Sequence, residues 1–220
     1  MFMKTRILSG SIVGLAAALA GCVVTSVHPF FTQRDLVSEP ALVGLWQTGD
    51  ADNGARIEVK LTGDKTYRSI ATDKEGKTSE AVFWLFKLGT QLFVDSYPAN
   101  VDDPALLPLH QVTKVSTVGD TFTSQGMRYE WLQGLLTNNP TALRHEIVTH
   151  RKDDGQVDTR VVLTASTQEL QQFLLKHLKT EEAWEAPSQY KRIRASAAPT
   201  ADAARAPGKL PETNSPAGTR

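Results

Sequence analysis

From Arg56 to Leu61 the chain reads Arg-Ile-Glu-Val-Lys-Leu, charged and apolar side chains alternating without a fault. A period of two sends the apolar set to one face, which predicts a strand with its other face in water. Gly63-Asp64 then turns the chain into a strand over 65–72, and 73–77 is a polar loop around Gly76. The next run, 80–88, breaks the alternation, because Val82-Phe83-Trp84-Leu85-Phe86 is apolar on both faces and needs two covers. The core on one side and a late helix on the other would supply them. The alternative is that one face lines an apolar ligand cavity, as in a small barrel. Gly89-Thr90 fits a two-residue turn with Gly first, leading into 91–97. Beyond a loop holding Pro98, Pro104 and Pro108, runs 109–118 and 121–125 flank Gly119-Asp120. Runs 145–151 and 157–164 flank Asp153-Asp154-Gly155, again a turn signal. A Gly-Leu-Trp start at Gly44 heads the first of these strands. Eight or nine short strands joined mostly by tight turns predict an antiparallel sheet, curled or closed.

Twice the apolar period lengthens to that of a helix. Trp131, Leu132, Leu135 and Leu136 form one stripe, which Asn138-Asn139-Pro140 ends. Ser166 with Glu169 three residues on is a capping box, followed by Leu170, Phe173, Leu174, His177 and Leu178 at helical spacing. Gln171 and Gln172 fall off that stripe and are expected to tolerate truncation. A further turn is expected near 181–185, anchored by Trp184. The fold class that results is α+β and mainly antiparallel β. It is a curled sheet or small barrel of about eight strands, with a short inserted helix and a C-terminal amphipathic helix.

The two ends read differently. Lys4 and Arg6 precede 13 apolar-rich residues, 7–19, and then the small residues Ala20 and Gly21. That order of charge, apolar run and small residues is an export signal, and its apolar run falls short of the about 20 residues of a spanning helix. Pro29 and Pro40 interrupt residues 22–42, which read as a tether reaching at most about 70 Å. Val27, Phe30 and Phe31 within it either dock on the domain or sit near lipid. Residues 195–220 hold eight Ala, four Pro, one Leu and no aromatic residue, too little apolar surface to offset the entropy of ordering them. The expected organisation is a signal peptide at 1–21, a tether at 22–42, one β-rich domain at 43–193 and a disordered tail at 194–220.

Formal charge is balanced, and removal of residues 1–21 would leave 22 basic and 24 acidic side chains. That balance speaks against nucleic acid as a partner and against a polybasic membrane patch. Cys22 is the sole cysteine, which excludes an intrachain disulfide.

Leu19-Ala20-Gly21-Cys22 resembles the lipobox of bacterial lipoprotein precursors position for position. The resemblance implies a diacylglyceryl thioether on Cys22, cleavage before it, and usually acylation of the new amino group. Val23 stands where an Asp would favour the inner membrane, which resembles an outer-membrane lipoprotein facing the periplasm. Thr25 to Thr32, Ala41 to Trp46, Leu88 to Asp95 and Leu163 to Leu170 together look like a family of uncharacterised bacterial lipoproteins, over the chain to about Ile193. That likeness implies a shared fold and carries no activity. Gly44-Leu45-Trp46, the meander of hairpins and the late helix also resemble lipocalins, in which such a Trp lies across the closed base of a barrel. The helix between strands departs from the usual up-and-down order of that family.

Little in the chain points to catalysis. His145 and His150 lie an odd number apart on one strand and face opposite sides, so they cannot share a metal. His110 adjoins a loop holding Asp102 and Asp103, where exposed loop residues are preferred to a metal or acid/base site. His177 lies on the apolar stripe and His28 in the tether. Asp102-Asp103, Asp153-Asp154 and Glu181-Glu182 are neighbours in sequence and fit turns and caps. Asp95 sits within an apolar strand, where an Arg or Lys across the sheet is the expected partner. Nucleophile elbows, phosphate-cradling glycine loops and His-Glu-x-x-His are missing from the sequence. The expectation is a non-enzymatic envelope lipoprotein without cofactor or metal, binding a partner protein or an apolar small ligand. A structural or assembly accessory of the envelope and an unrecognised hydrolase are the alternatives.

Overall fold

A computed structural model describes residues 23–48, 54–99, 107–151, 155 and 157–194. The expected signal peptide with Leu19, Ala20 and Gly21, the lipid-attachment residue Cys22, the pairs Asp102-Asp103 and Asp153-Asp154, and the tail from 195 lie outside them. Among the described residues no helix is long and apolar enough to cross a membrane.

The strands are β1 (Thr25–Ser26), β2 (Leu36–Val37), β3 (Gly44–Thr48), β4 (Arg56–Leu61), β5 (Thr66–Thr72), β6 (Thr78–Leu88) and β7 (Gln91–Pro98). They continue as β8 (His110–Val118), β9 (Thr121–Gly126), β10 (His145–Arg151), β11 (Val157–Leu163) and β12 (Ser188–Arg194). Helix α1 (Tyr129–Asn138) precedes β10, and α2 (Thr167–His177) follows β11.

Strands β3 to β9 pair each with the next, all antiparallel, and β12 pairs with both β9 and β3. Eight strands thus close into an up-and-down barrel. The inserted helix does not disturb the meander, since α1, β10, β11 and α2 are spliced together between the seventh and eighth barrel strands. The β10–β11 hairpin joins the wall through β1, which runs parallel to β11 and antiparallel to the start of β8.

The doubly apolar strand has two covers. Phe83 and Leu85 point into the barrel with Trp46, Tyr67 and Val94. Phe86 and Leu88 point outward into a second core with Phe30, Phe93, Leu170 and Leu174, and Trp84 packs on its edge. Helix α2 begins as its sequence predicts: Ser166 Oγ accepts from the Glu169 amide (3.4 Å), and the Glu169 carboxylate accepts from the Ser166 amide (2.8 Å). Arg144 also donates to Glu169 at 2.5 Å, and with Ser166 it holds the Glu169 carboxyl down to about 2. Leu170, Phe173 and Leu174 form the expected buried stripe, and Trp184 is anchored at 3% exposure after the turn at Glu181–Ala183.

Three expectations are corrected. The expected tether is not slack. Of the two placements open to its apolar residues, docking is the one found, and from Val23 the segment packs on the domain with Val24, Phe30, Phe31 and Leu36 buried. Two prolines prevent a long strand here, so side chains satisfy the backbone instead. Thr167 Oγ1 donates to the Pro29 carbonyl (2.8 Å), Lys65 Nζ to the Leu36 carbonyl (2.8 Å), and the Glu39 amide to the Tyr67 hydroxyl (2.8 Å). Secondly, Gln171 is no bystander, because its Nε2 donates to the Phe30 carbonyl (3.0 Å) and the Asp35 carboxylate (2.8 Å). Thirdly, β12 has no counterpart in the sequence reading, yet it closes the barrel.

Phe173→Ala should lower the unfolding free energy by about 3–5 kcal/mol through the lost burial and its cavity. Gln171→Ala should lower it by about 1–2 kcal/mol, two hydrogen bonds' worth, while Gln172→Ala stays near zero. Urea titration of the three variants checks the order.

Candidate functional site

Residues paired across antiparallel strands share a face, so the barrel's inner lining can be followed strand by strand. Tyr67 pairs with Phe83, Ser69 with Ala81, Phe83 with Ser96, Val94 with Thr113, Val115 with Ser124 and Phe122 with Tyr190. The lining is graded from one end to the other. At the end with the tight turns 89–90 and 119–120, rings fill the interior. Tyr67 stacks on Phe83 (centroids 5.0 Å), Phe122 stacks on Tyr190 (4.5 Å), and Trp46 meets Phe122 edge-on (5.5 Å). Trp46 is fully buried, and its indole N–H donates to the Leu42 carbonyl at 2.8 Å. The Arg192 guanidinium lies 4.1 Å above the indole and donates to the Val43 carbonyl (2.8 Å) and the Ala41 carbonyl. That cation closes the base by joining the last strand to the turn before the first.

Toward the other end most inward side chains become small, with Ile57 opposite Ala71 and Gln111 opposite Ser96 as larger exceptions. Ser69, Ala71, Ala81, Ser96 and Ser124 are all buried and neutral. Ser124 Oγ lies near the Tyr190 hydroxyl but makes no hydrogen bond of sound geometry among the described residues. An unsatisfied buried hydroxyl is uncommon, and a hydrogen-bonding ligand or water is the usual remedy.

The outer face of β7 and β8 holds a second polar site. Asp95 is fully buried; its Oδ1 lies 2.6 Å from His110 Nδ1, and its Oδ2 accepts from the Phe30 amide at 2.7 Å. The partner is therefore a histidine and a strap amide, where an Arg or Lys was expected. Burial pushes the Asp95 carboxyl above its ordinary value, against the opposing pull of His110 and the Phe30 amide. His110 in turn meets the Tyr97 ring edge-on at 5.8 Å. A carboxylate that orients an imidazole can serve a nucleophile when one is near. Ser26 stands opposite His110 in the register, but it is fully buried. Its Oγ already donates to the Leu163 carbonyl (3.4 Å) and accepts from the His28 amide (3.1 Å). The arrangement works as a strut that pins Phe30 to two barrel strands.

The remaining candidates stay apart. His145 Nδ1 contacts the Leu143 carbonyl at 2.9 Å, and His28, Glu181 and Glu182 are exposed. His177 packs on Phe173 (4.6 Å) and Trp131 (4.9 Å), where burial lowers its pKa. Among the described residues no group of three His, Cys, Asp or Glu side chains is placed to hold a metal ion. Comparison of the chain with family models, with curated proteins and with solved structures returned no match.

Because its folded pKa is raised, Asp95 adds stability that is full below its unfolded value of 3.8 and is lost as pH rises through the folded value. Asp95→Asn should flatten that part of the stability profile, so the variant gains on the parent between acid and neutral pH. Urea midpoints measured from pH 3 to pH 7 test the sign.

Proposed function

We propose that the chain is a lipoprotein of the bacterial cell envelope, attached to the outer membrane through acylated Cys22 and facing the periplasm. Its lipocalin-like barrel is a non-enzymatic binding module for a small, neutral ligand. The graded interior carries this reading. An eight-stranded barrel is just wide enough for its side chains to fill or to hold one small ligand, and small residues tip the balance toward a ligand. Ser69, Ser96 and Ser124 offer hydroxyls, and these inward positions bear no charge, so the matching ligand is uncharged with hydrogen-bonding groups. The ring-filled base and the Arg192 closure leave the half lined by small side chains as the place of entry. The anchor rests on the lipobox at Leu19 to Cys22.

Native mass spectrometry of protein released from its own membranes should reveal a small bound molecule. Ala81→Leu should abolish it while melting within a few degrees of the parent, because on this reading the added carbons take the ligand's place. A loss of about 1–3 kcal/mol, the usual result of overpacking, would show that this half is already filled and would overturn the reading.

A further inference from the structure

We propose that the barrel is seated directly on the bilayer, with the β10–β11 hairpin as a second membrane contact beside the lipid on Cys22. The inference rests on the anchor proposed above and adds a defined face to it. Two independent observations carry it.

The first is the lack of slack. Val23 already bridges to Arg128, and Val24 is 2% exposed in the outer core. One peptide unit separates Val23 from Cys22, about 3.8 Å between Cα atoms. Acyl chains on Cys22 therefore leave from the surface of the folded body, and the body cannot stand off from the headgroups.

The second is where the exposed apolar side chains lie. Strand β1 runs parallel to β11, with Thr25 opposite Val162. Stepping back along β1 toward Cys22 is therefore stepping along β11 toward the hairpin turn. Two steps bring Val23 level with Arg160, and β11 continues three residues further to Val157, about 10 Å at strand spacing. The hairpin overhangs the body on the anchor side. Ile147, paired with buried Val161, and Val157 share one face of this hairpin. That face is apolar core at Val161 and runs out into solvent at Ile147 (62% exposed) and Val157 (55%), while Val148 (50%) is exposed on the other face.

Apolar residues beside a lipid anchor fit the headgroup–acyl boundary, where a single acyl chain holds only marginally and a second contact stabilises attachment. On the described strands the Thr149–Thr159 pair lies between Ile147 and Val157, and Arg151 stands opposite Val157. The contact is therefore made by the hairpin's flank, apolar at Ile147 and Val157, with Arg151 beside Val157.

The test uses chain 22–220 with Cys22 coupled through a maleimide to phospholipid in phosphatidylcholine vesicles. Chemical coupling makes the result independent of acylation in the native host. Mass spectrometry of Cys22 from that host tests the anchor separately. Hydrogen–deuterium exchange should slow severalfold across 145–151 and 157–160 on vesicles, with loop 73–77 at the opposite end of the barrel unchanged. The double variant Ile147→Asp, Val157→Asp should lose the protection, and its melting midpoint should match the parent's because both sites are exposed. Unchanged hairpin exchange on protein-free vesicles would overturn the proposal and return this patch to a protein partner. Protection that appears only with added phosphatidylglycerol would overturn the apolar contact.

Discussion

Strand β6 is apolar on both sides, and nearly everything else in the molecule follows from covering it twice. Each exposed Phe or Leu would forfeit about 1.5–3 kcal/mol of transfer free energy, so neither face can be left to water. Barrel closure covers Phe83 and Leu85. The outer residues Phe86 and Leu88 need a layer that the meander itself cannot provide, and the insertion between β9 and β12 supplies it together with the N-terminal strap. The strap is irregular, so its amides and carbonyls depend on side chains from the parts it covers. Asp95, Thr167, Gln171, Lys65 and Tyr67 each meet one of these groups. The burial of Asp95 is thus a consequence of the same demand, because an amide pressed against the outer core must find an acceptor.

Legibility in the sequence followed the purity of each pattern. Strands β4, β6 and β7, the hairpin turns and the capped helix α2 declare themselves through period, glycine position and cap chemistry. Strand β12 does not, because its inward positions are Tyr190 and Arg192, amphipathic side chains whose polar ends hide the alternation. Gln171 looked like surface because helical period reports which face meets the apolar core, and its partners, the Phe30 carbonyl and the Asp35 carboxylate, belong to a segment about 140 residues away. Asp95 and His110 were each visible as candidates. Their pairing was not, since His110 had nearer acidic neighbours in sequence and the true contact is made by a diagonal across two strands.

The barrel's interior shows how one architecture divides its labour. Aromatic rings and Arg192 at one end lock the strands together, and small neutral side chains at the other leave the wall thin. Closure holds that half in shape, because every strand there has a neighbour on both sides. Such a design concentrates the aromatic contacts that set stability at one end of the barrel.

The parallel pairing of β1 with β11 also sets an order of events. Ser26 hydrogen-bonds to Leu163, 137 residues later in the chain. Strand β1 is among the first segments to be made; β8 can line one of its edges, but the other edge has no neighbour until β11 exists. At about 5–20 residues per second that interval lasts many seconds. Throughout it strand β1 lacks its parallel neighbour, and the Ser26 hydroxyl lacks the Leu163 carbonyl. Once β11 arrives, β1 is held on both edges. The domain's first strand is thus among the last to be secured.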